Sequence, residues 1–287
     1  MLSSLKQRVQ SFIGHAVAQS ISNSERPCAY MGDSKALTRT IYGHKMYVKT
    51  DDLSLAPHIL LDGFWENWIT KVFIREVQPG MAVCDIGANI GYYSLLAAAA
   101  VGDDGHLHCF EANPDVYEIL FQNVEINGFL PRTKIVNKAV FSKSTDIEFN
   151  VCEKHQGSSS LFLDQKLVEE VFNDKLKKII IEAVSLDDYF PAGSKVDFIK
   201  VNAEGAEPDI FKGASRLLNE NHSLKIMMEW NLSMLNRSDM MARDFWDLIQ
   251  GYGFNAYQIM HDSTLTHKGF EELRQVEHCD VLLKRPS

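Results

Sequence analysis

Apolar positions fall into two rhythms along this chain. From Met81 onward, short and nearly continuous apolar runs alternate with longer stretches whose apolar residues recur every three to four positions. Continuous runs suit strands buried on both faces, so the alternation predicts a mostly parallel sheet covered by helices on each side. Strands are expected at Ala82 to Ile86, His106 to Glu111, Lys134 to Lys138, Val196 to Val201 and Leu224 to Trp230. Helices are expected to begin near Gly91, Pro114 and Glu207. Asn113 can cap the second of these, and Pro114 suits a first helical position. Another helix should run from about Asp239 to Gln250, capped by Ser238 and ended at Gly251 or Gly253. Phe254 to Met260 and His278 to Lys284 then read as two final strands, joined as an antiparallel edge pair.

Upstream, Phe64, Trp65, Trp68, Ile69, Val72 and Phe73 recur at helical spacing and predict core packing, with a lid over a ligand site as the alternative. Leu5, Val9, Phe12, Ile13 and Val17 do the same near the start. They predict an amphipathic helix that packs on its own domain or on a second copy in a homodimer, with a membrane surface as the alternative. Asp146 to Val184 is less periodic, and its Gly157-Ser158-Ser159-Ser160 tract reads as a loop. The expected organisation is a helical or extended segment over 1–50 and one domain over 51–287 with an insertion at about 146–184.

Composition narrows the function classes. The 287 residues are 45% hydrophobic, enough for a sizeable core, and the net charge of -9 argues against a nucleic-acid partner, which needs clustered Lys and Arg. Five cysteines without a Cys-x-x-Cys pair predict neither a disulfide framework nor a zinc site, so a reducing, cytoplasmic setting is expected. No apolar run approaches the length of an integral membrane segment.

The stretch VCDIGANIGYYS, Val83 to Ser94, combines a strand, a glycine turn and a helix start. Glycines there let a ligand approach the main chain at the carboxyl end of a sheet. Glu111 lies 24 residues beyond Gly87 and closes the next strand, where a carboxylate can accept hydrogen bonds from ribose hydroxyls. The turn reads Gly87-Ala88-Asn89-Ile90-Gly91, without the middle glycine that a dinucleotide pyrophosphate requires. Asp85 just before it repels a phosphate and welcomes a cation. S-adenosylmethionine, with a ribose, a sulfonium, an amino-acid tail and no phosphate, fits this set. A ligand-free turn is the plainer alternative.

A second cluster lies in VDFIKVNAEGAEPDIFKGA, where a buried strand empties Lys200, Asn202, Glu204 and Glu207 at its carboxyl end. Glu207 equally suits a helix first turn. Glu229 closes the following strand, so Glu204 and Glu229 should share one rim. His106 and His108 are expected as a surface pair, and His155 neighbours the serine loop. A magnesium between Glu204 and Glu229 is conceivable, but no spacing supports a metal site.

Taken in order, VCDIGANIGYYS, CFEANPDVYEILFQNVEINGF, SLDDYF and VDFIKVNAEGAEPDIFKGA resemble the FkbM family of S-adenosylmethionine-dependent methyltransferases, over about Asp52 to Asn231. The resemblance implies a Rossmann-like class I methyltransferase fold, an α/β architecture with a mostly parallel seven-stranded sheet, its last strand antiparallel. It implies O-methylation of a hydroxyl on a sugar, glycan or small natural product. It would put Asp85, Gly87, Asn89 and Gly91 at the methionine end of the cofactor, and Glu111 and Asn113 at ribose and adenine. Lys200, Glu204 and Glu207 match the family's Lys-x-Asp-x-Glu-Gly-x-Glu pattern. Asn202 departs from it, and an asparagine can neither take a proton nor offer a charged ligand.

For methyl transfer, Glu204 is the first candidate base and Glu229 the second, with Lys200 orienting the acid or polarising the acceptor. Two other function classes compete. One is a nicotinamide-dependent oxidoreductase; the other is a non-catalytic relative that binds the cofactor or a glycan as an assembly partner.

Overall fold

The computed structural model describes residues 26–155, 157, 159–163, 165, 168–235 and 241–286. The amphipathic pattern from Leu5 to Val17 and the cap expected at Ser238 lie outside the described residues.

The described chain opens with three short antiparallel strands, β1 (Ala29–Gly32), β2 (Lys35–Arg39) and β3 (Lys45–Lys49), then two helices, α1 (Ala56–Leu61) and α2 (Asn67–Glu76). Alternation follows: β4 (Ala82–Ile86), α3 (Tyr92–Val101), β5 (His106–Phe110), α4 (Pro114–Ile126) and β6 (Thr133–Val136). A separate small sheet holds β7 (Ala139–Val140), β8 (Thr145–Cys152) and β9 (Leu176–Val184). The chain then returns to the main sheet through β10 (Phe198–Val201), α5 (Glu207–Lys212), α6 (Ser215–Glu220) and β11 (Lys225–Asn231). It ends with α7 (Ala242–Gly251), β12 (Asn255–Ile259), β13 (Leu265–Lys268) and β14 (His278–Lys284).

The main sheet runs β13-β12-β14-β11-β10-β4-β5-β6. From β11 to β6 every pairing is parallel, whereas β14 slots antiparallel between β11 and β12, as a class I methyltransferase sheet requires. The pairing expected between the two final strands is present; β13, an eighth strand antiparallel to β12, extends the sheet beyond it.

Burial explains why these runs became central strands. All four residues of β10 are buried, and the two faces of the sheet lie in two different apolar clusters. Val83, Leu107, Phe198, Met227 and Leu282 face α2, α3 and α4, while Cys84, Ile199, Ile226 and Leu283 face α5, α6 and α7. Helix α3 is buried nearly all round, which its Tyr92 to Val101 sequence permits because its polar groups are only the Tyr92, Tyr93 and Ser94 hydroxyls, each with a partner. At the start of α4, Asn113 Oδ1 accepts the Asp115 amide at 3.0 Å, the cap that the sequence predicts.

The main sheet has eight strands where seven are expected, and the structure departs from expectation at four further places. Helix α7 starts at Ala242 with Met241 at its cap position and no side-chain cap bond. The region at 146–184 contains the β8–β9 hairpin, paired from Thr145↔Ala183 to Cys152↔Leu176; its β9 run Ile179-Ile180-Ile181 leaves Ile180 70% exposed, which blurs the period-2 pattern. His106 is exposed, but the His108 ring packs on Tyr189 and Phe190, and burial pushes its pKa down to about 4. In the aromatic stretch, Ile69, Val72 and Phe73 enter the core, whereas Trp65 stays partly open beside a cavity. Among the described residues, no helix is long and apolar enough to cross a membrane.

One side chain ties the N-terminal sheet to the glycine turn. Buried Asn123 accepts the Tyr47 amide at 2.6 Å and donates to the carbonyls of Tyr47 (3.0 Å) and Ile90 (2.7 Å). Asn123→Ala strands all three backbone groups, so a loss of about 3 kcal/mol is expected in urea unfolding. A loss below about 0.5 kcal/mol, the range of ordinary surface substitutions, would contradict this role.

Candidate active site

Strand β4 delivers Asp85 and Ile86 to a turn in which Gly87, Asn89 and Gly91 all have positive φ (72°, 51° and 95°). The glycines have steric reasons to be there. A Cβ on Gly87 would lie 1.9 Å from the Asn202 carbonyl oxygen, and one on Gly91 would lie 2.6 Å from Leu120 Cδ1. The first contact presses the ends of β4 and β10 together, and the Asn202 amide donates to the Ile86 carbonyl at 3.0 Å across it.

Two cavities open on either side of this contact. The first, about 640 Å³, runs from Ile86 and Gly87 past Phe110, Glu111, Val116 and Val140 to Phe149 and Leu161 of the insertion. The second, about 790 Å³, lies among Ser54, Leu55, Trp65, Tyr92, Tyr93, Asp85 and Lys200. Gly87, Asn89, Gly157, Asn202 and Glu204 line both. The first cavity sets an apolar wall beside Glu111, Glu204 and Lys138; the second mixes aromatic walls with charge.

Glu111 is 8% exposed, and its carboxylate accepts the amides of Asn89 and Asn113, each at 2.8 Å. Burial pushes it up to about 7, against the pull of those two amides. Asp85 is 0% exposed; Oδ2 accepts the Ser94 hydroxyl at 2.6 Å, while Oδ1 has no partner. Burial raises its pKa, and Lys200 and Ser94 oppose that rise. Lys200, opposite Asp85 in the β4–β10 register, sits 4.6 Å from the Tyr93 ring centroid. Asn202 carries a second buried oxygen, Oδ1, that has no partner.

The turn after β10 is built around Glu207. Its carboxylate accepts the amides of Ala203 (2.9 Å) and Gly205 (3.0 Å), so this 3%-exposed acid shapes the loop and lines neither cavity. That loop holds Glu204 in a left-handed conformation, φ 51°, and Ser160 donates to its carbonyl at 2.7 Å. Burial pushes the Glu204 carboxyl well above its usual range, helped by the negative charges of Glu229 and Glu207.

Glu229 is brought near Glu204 but outside both cavities, and it pairs with His278 Nε2 at 2.7 Å. Burial raises its carboxyl, but the His278 and Asn231 hydrogen bonds prevail and hold it below its usual range. Asn113 is 3% exposed, caps α4 and likewise lines neither cavity. Among the described residues, no group of three His, Cys, Asp or Glu is placed to hold a metal ion.

Trp65 lines the second cavity, as the ligand-site alternative for the aromatic stretch anticipates, whereas sequence reasoning does not single out Tyr93, Ser54, Glu66, His278 or Asp280. Glu66, φ 42°, accepts the Tyr93 hydroxyl at 3.2 Å, and burial pushes it up against the pull of Lys200. No local pattern marks His278.

Residues 85–256, more than half of the chain, match the model of the methyltransferase FkbM domain. A curated relative, methyltransferase sdnD from Sordaria araneosa, is 27% identical over 163 residues, 49% of this chain and 62% of that protein. The chain therefore spans less than two thirds of that relative's length. Among solved structures, P. horikoshii TYW2 in complex with MeSAdo is 14% identical with a TM-score of 0.47, covering 94% of this chain and 80% of the other. The O-methyltransferase TomG from Streptomyces achromogenes, in complex with SAM, is 14% identical with a TM-score of 0.42, covering 77% and 79%.

The Gly87 contact yields a direct expectation. Gly87→Ala forces a side chain into a left-handed position and against a backbone oxygen, so it should lower stability by about 3 kcal/mol in urea unfolding. Wild-type stability in that variant would show that β4 and β10 do not need this approach.

Proposed function

The chain belongs to the FkbM methyltransferase family, and on that premise we propose that it is an S-adenosylmethionine-dependent O-methyltransferase acting on a hydroxyl of a sugar, a glycan or a small natural product. The observation that carries this reading is Asp85. A fully buried carboxylate oxygen without a partner is costly unless a ligand meets it, and a cationic group is the chemistry that suits it. Lining the second cavity, Asp85 fits the ammonium and sulfonium of S-adenosylmethionine and disfavours a pyrophosphate. Glu111 at the edge of the first cavity supports a ribose partner, and Phe110, Val116, Val140 and Leu161 support an apolar slot for a purine.

When bound, the cofactor supplies a methyl carbon that bonds to the acceptor oxygen as its bond to sulfur breaks, the electron pair staying on sulfur. The residues of this chain have other tasks. Glu204 lines both cavities, and burial together with the neighbouring acids raises its proton affinity, which suits it to receive the hydroxyl proton. Lys200 supplies the nearby cation, and Asn202 offers a neutral acceptor oxygen at the junction. Trp65 and Tyr93 give the second cavity flat apolar walls against which a sugar face or a ring system can lie. The cysteines are unpaired, four of them buried, which supports a reducing, cytoplasmic setting.

Calorimetric titration tests the cofactor. S-adenosylmethionine should bind and NAD should not, and Asp85→Ala should weaken the former by roughly 10- to 100-fold through loss of a charged contact. NAD binding, or no binding of either, would overturn the reading. For the base, Glu204→Gln should retain cofactor binding while kcat on a methylated acceptor falls by roughly 100- to 10,000-fold; near-normal turnover would remove Glu204 from that role.

A further inference from the structure

The last strand brings an unassigned histidine to the rim of the site. In the β11–β14 register Glu229 faces Asp280 and Asn231 faces His278, so all four side chains share one face of the sheet. Asp85 and Lys200 lie on that same face, two strands and one strand away from β11. The His278 ring donates from Nε2 to Glu229 Oε1 at 2.7 Å, and Asn231 Nδ2 reaches the same oxygen at 3.1 Å. Glu229 is therefore held from two directions while Glu204, on the neighbouring loop, has only its carbonyl pinned by Ser160.

Building on the methyltransferase reading above, we propose that His278 is a positioning residue: by holding Glu229 as an ion-paired partner, it leaves Glu204 as the carboxylate that receives the acceptor's proton. Two nearby acids do separate work when their surroundings drive their proton affinities apart. Here the hydrogen bonds of His278 and Asn231 hold Glu229 low, and the negative charge so fixed pushes Glu204 up. His278, hydrogen-bonded to Glu229, is itself raised to about 9 and so carries its charge at neutral pH.

The other groups facing this pair are accounted for. Asp280 on β14 is driven by burial up to about 8 and stays protonated at neutral pH, so it adds little charge. Glu66, from the turn before α2, is raised by burial; Glu207 is held by the loop amides; Lys200 on β10 is the remaining cation. Glu277, next to His278, accepts from the Ser233 hydroxyl.

The test needs no acceptor. Carboxyl carbon-13 and imidazole nitrogen-15 NMR on the full-length protein read each group through a pH titration. His278 should titrate near 9, and in Glu229→Gln it should fall toward its ordinary value of 6.5. In His278→Gln, which removes the partner that fixes the Glu229 charge, the Glu229 midpoint should rise by roughly 1 unit, and in Glu229→Gln, which removes that charge, the Glu204 midpoint should fall by a similar amount. His278→Arg, with a permanent cation, should restore the Glu229 midpoint. A His278 midpoint near 6.5 in the unaltered protein, a Glu229 midpoint indifferent to His278→Gln, or a Glu204 midpoint indifferent to Glu229→Gln overturns the proposal. These readouts stand apart from catalysis, so they separate failure of this proposal from failure of the methyltransferase reading. Once an acceptor is in hand, the acidic limb of the kcat profile should move to lower pH in Glu229→Gln with the KM for S-adenosylmethionine unchanged, and an unmoved limb overturns the proposal.

Discussion

The approach of the Gly87 backbone to the Asn202 carbonyl is the constraint on which the rest of the site depends. A side chain at position 87 would lie 1.9 Å from that oxygen, so only a bare α-carbon lets the carboxyl ends of β4 and β10 close together. That closeness sets the common wall of the two cavities and puts Asn89, Asn202 and Glu204 at their junction. The supports are distributed. Asn123 clamps Ile90 from α4, Glu207 gathers the amides after β10, and Ser160 of the insertion fixes the Glu204 carbonyl. Each support satisfies buried backbone groups while aiming a different loop at the same place.

Electrostatics follows from the same geometry through the two-residue period of strands. Asp85, Lys200, Glu229, Asp280 and His278 all fall on the face that carries α2 and α3, and Glu66 reaches them from the turn before α2. Carboxylates gathered in a partly dry space cannot all be charged at once. Some are therefore held low by a partner, as Glu229 is by His278, and others are pushed up by burial and by their neighbours, as Glu204, Glu66 and Asp280 are. Such an arrangement raises the proton affinity of a carboxyl at the rim, and it favours a cationic ligand over an anionic one.

Much of this was legible in the amino-acid order where the physics is local. The run Ala82 to Ile86 became β4 with unchanged bounds, because a buried parallel strand needs continuous apolar residues. The Asn113 cap followed from chemistry three residues wide, and the shared rim of Glu204 and Glu229 from the adjacency of β10 and β11. What escaped depends on distant partners. His278 and Glu229 are far apart in the chain, and their meeting requires β14 to enter antiparallel between β11 and β12. His108 was misjudged because its burial comes from Tyr189 and Phe190. Glu207 fits a family pattern, yet its bonds to Ala203 and Gly205 shape a loop, a role that residue type alone does not distinguish from catalysis.

The central claim is that the β4 turn, the end of β5 and the loop after β10 form one cofactor site. The most direct measurement is amide chemical-shift mapping as S-adenosylmethionine is added to the protein. The account predicts that the largest changes fall on Gly87 to Ile90, Glu111 to Asn113 and Asn202 to Gly205, the three segments that converge there. Changes centred on another surface, or none at saturating ligand, would contradict it.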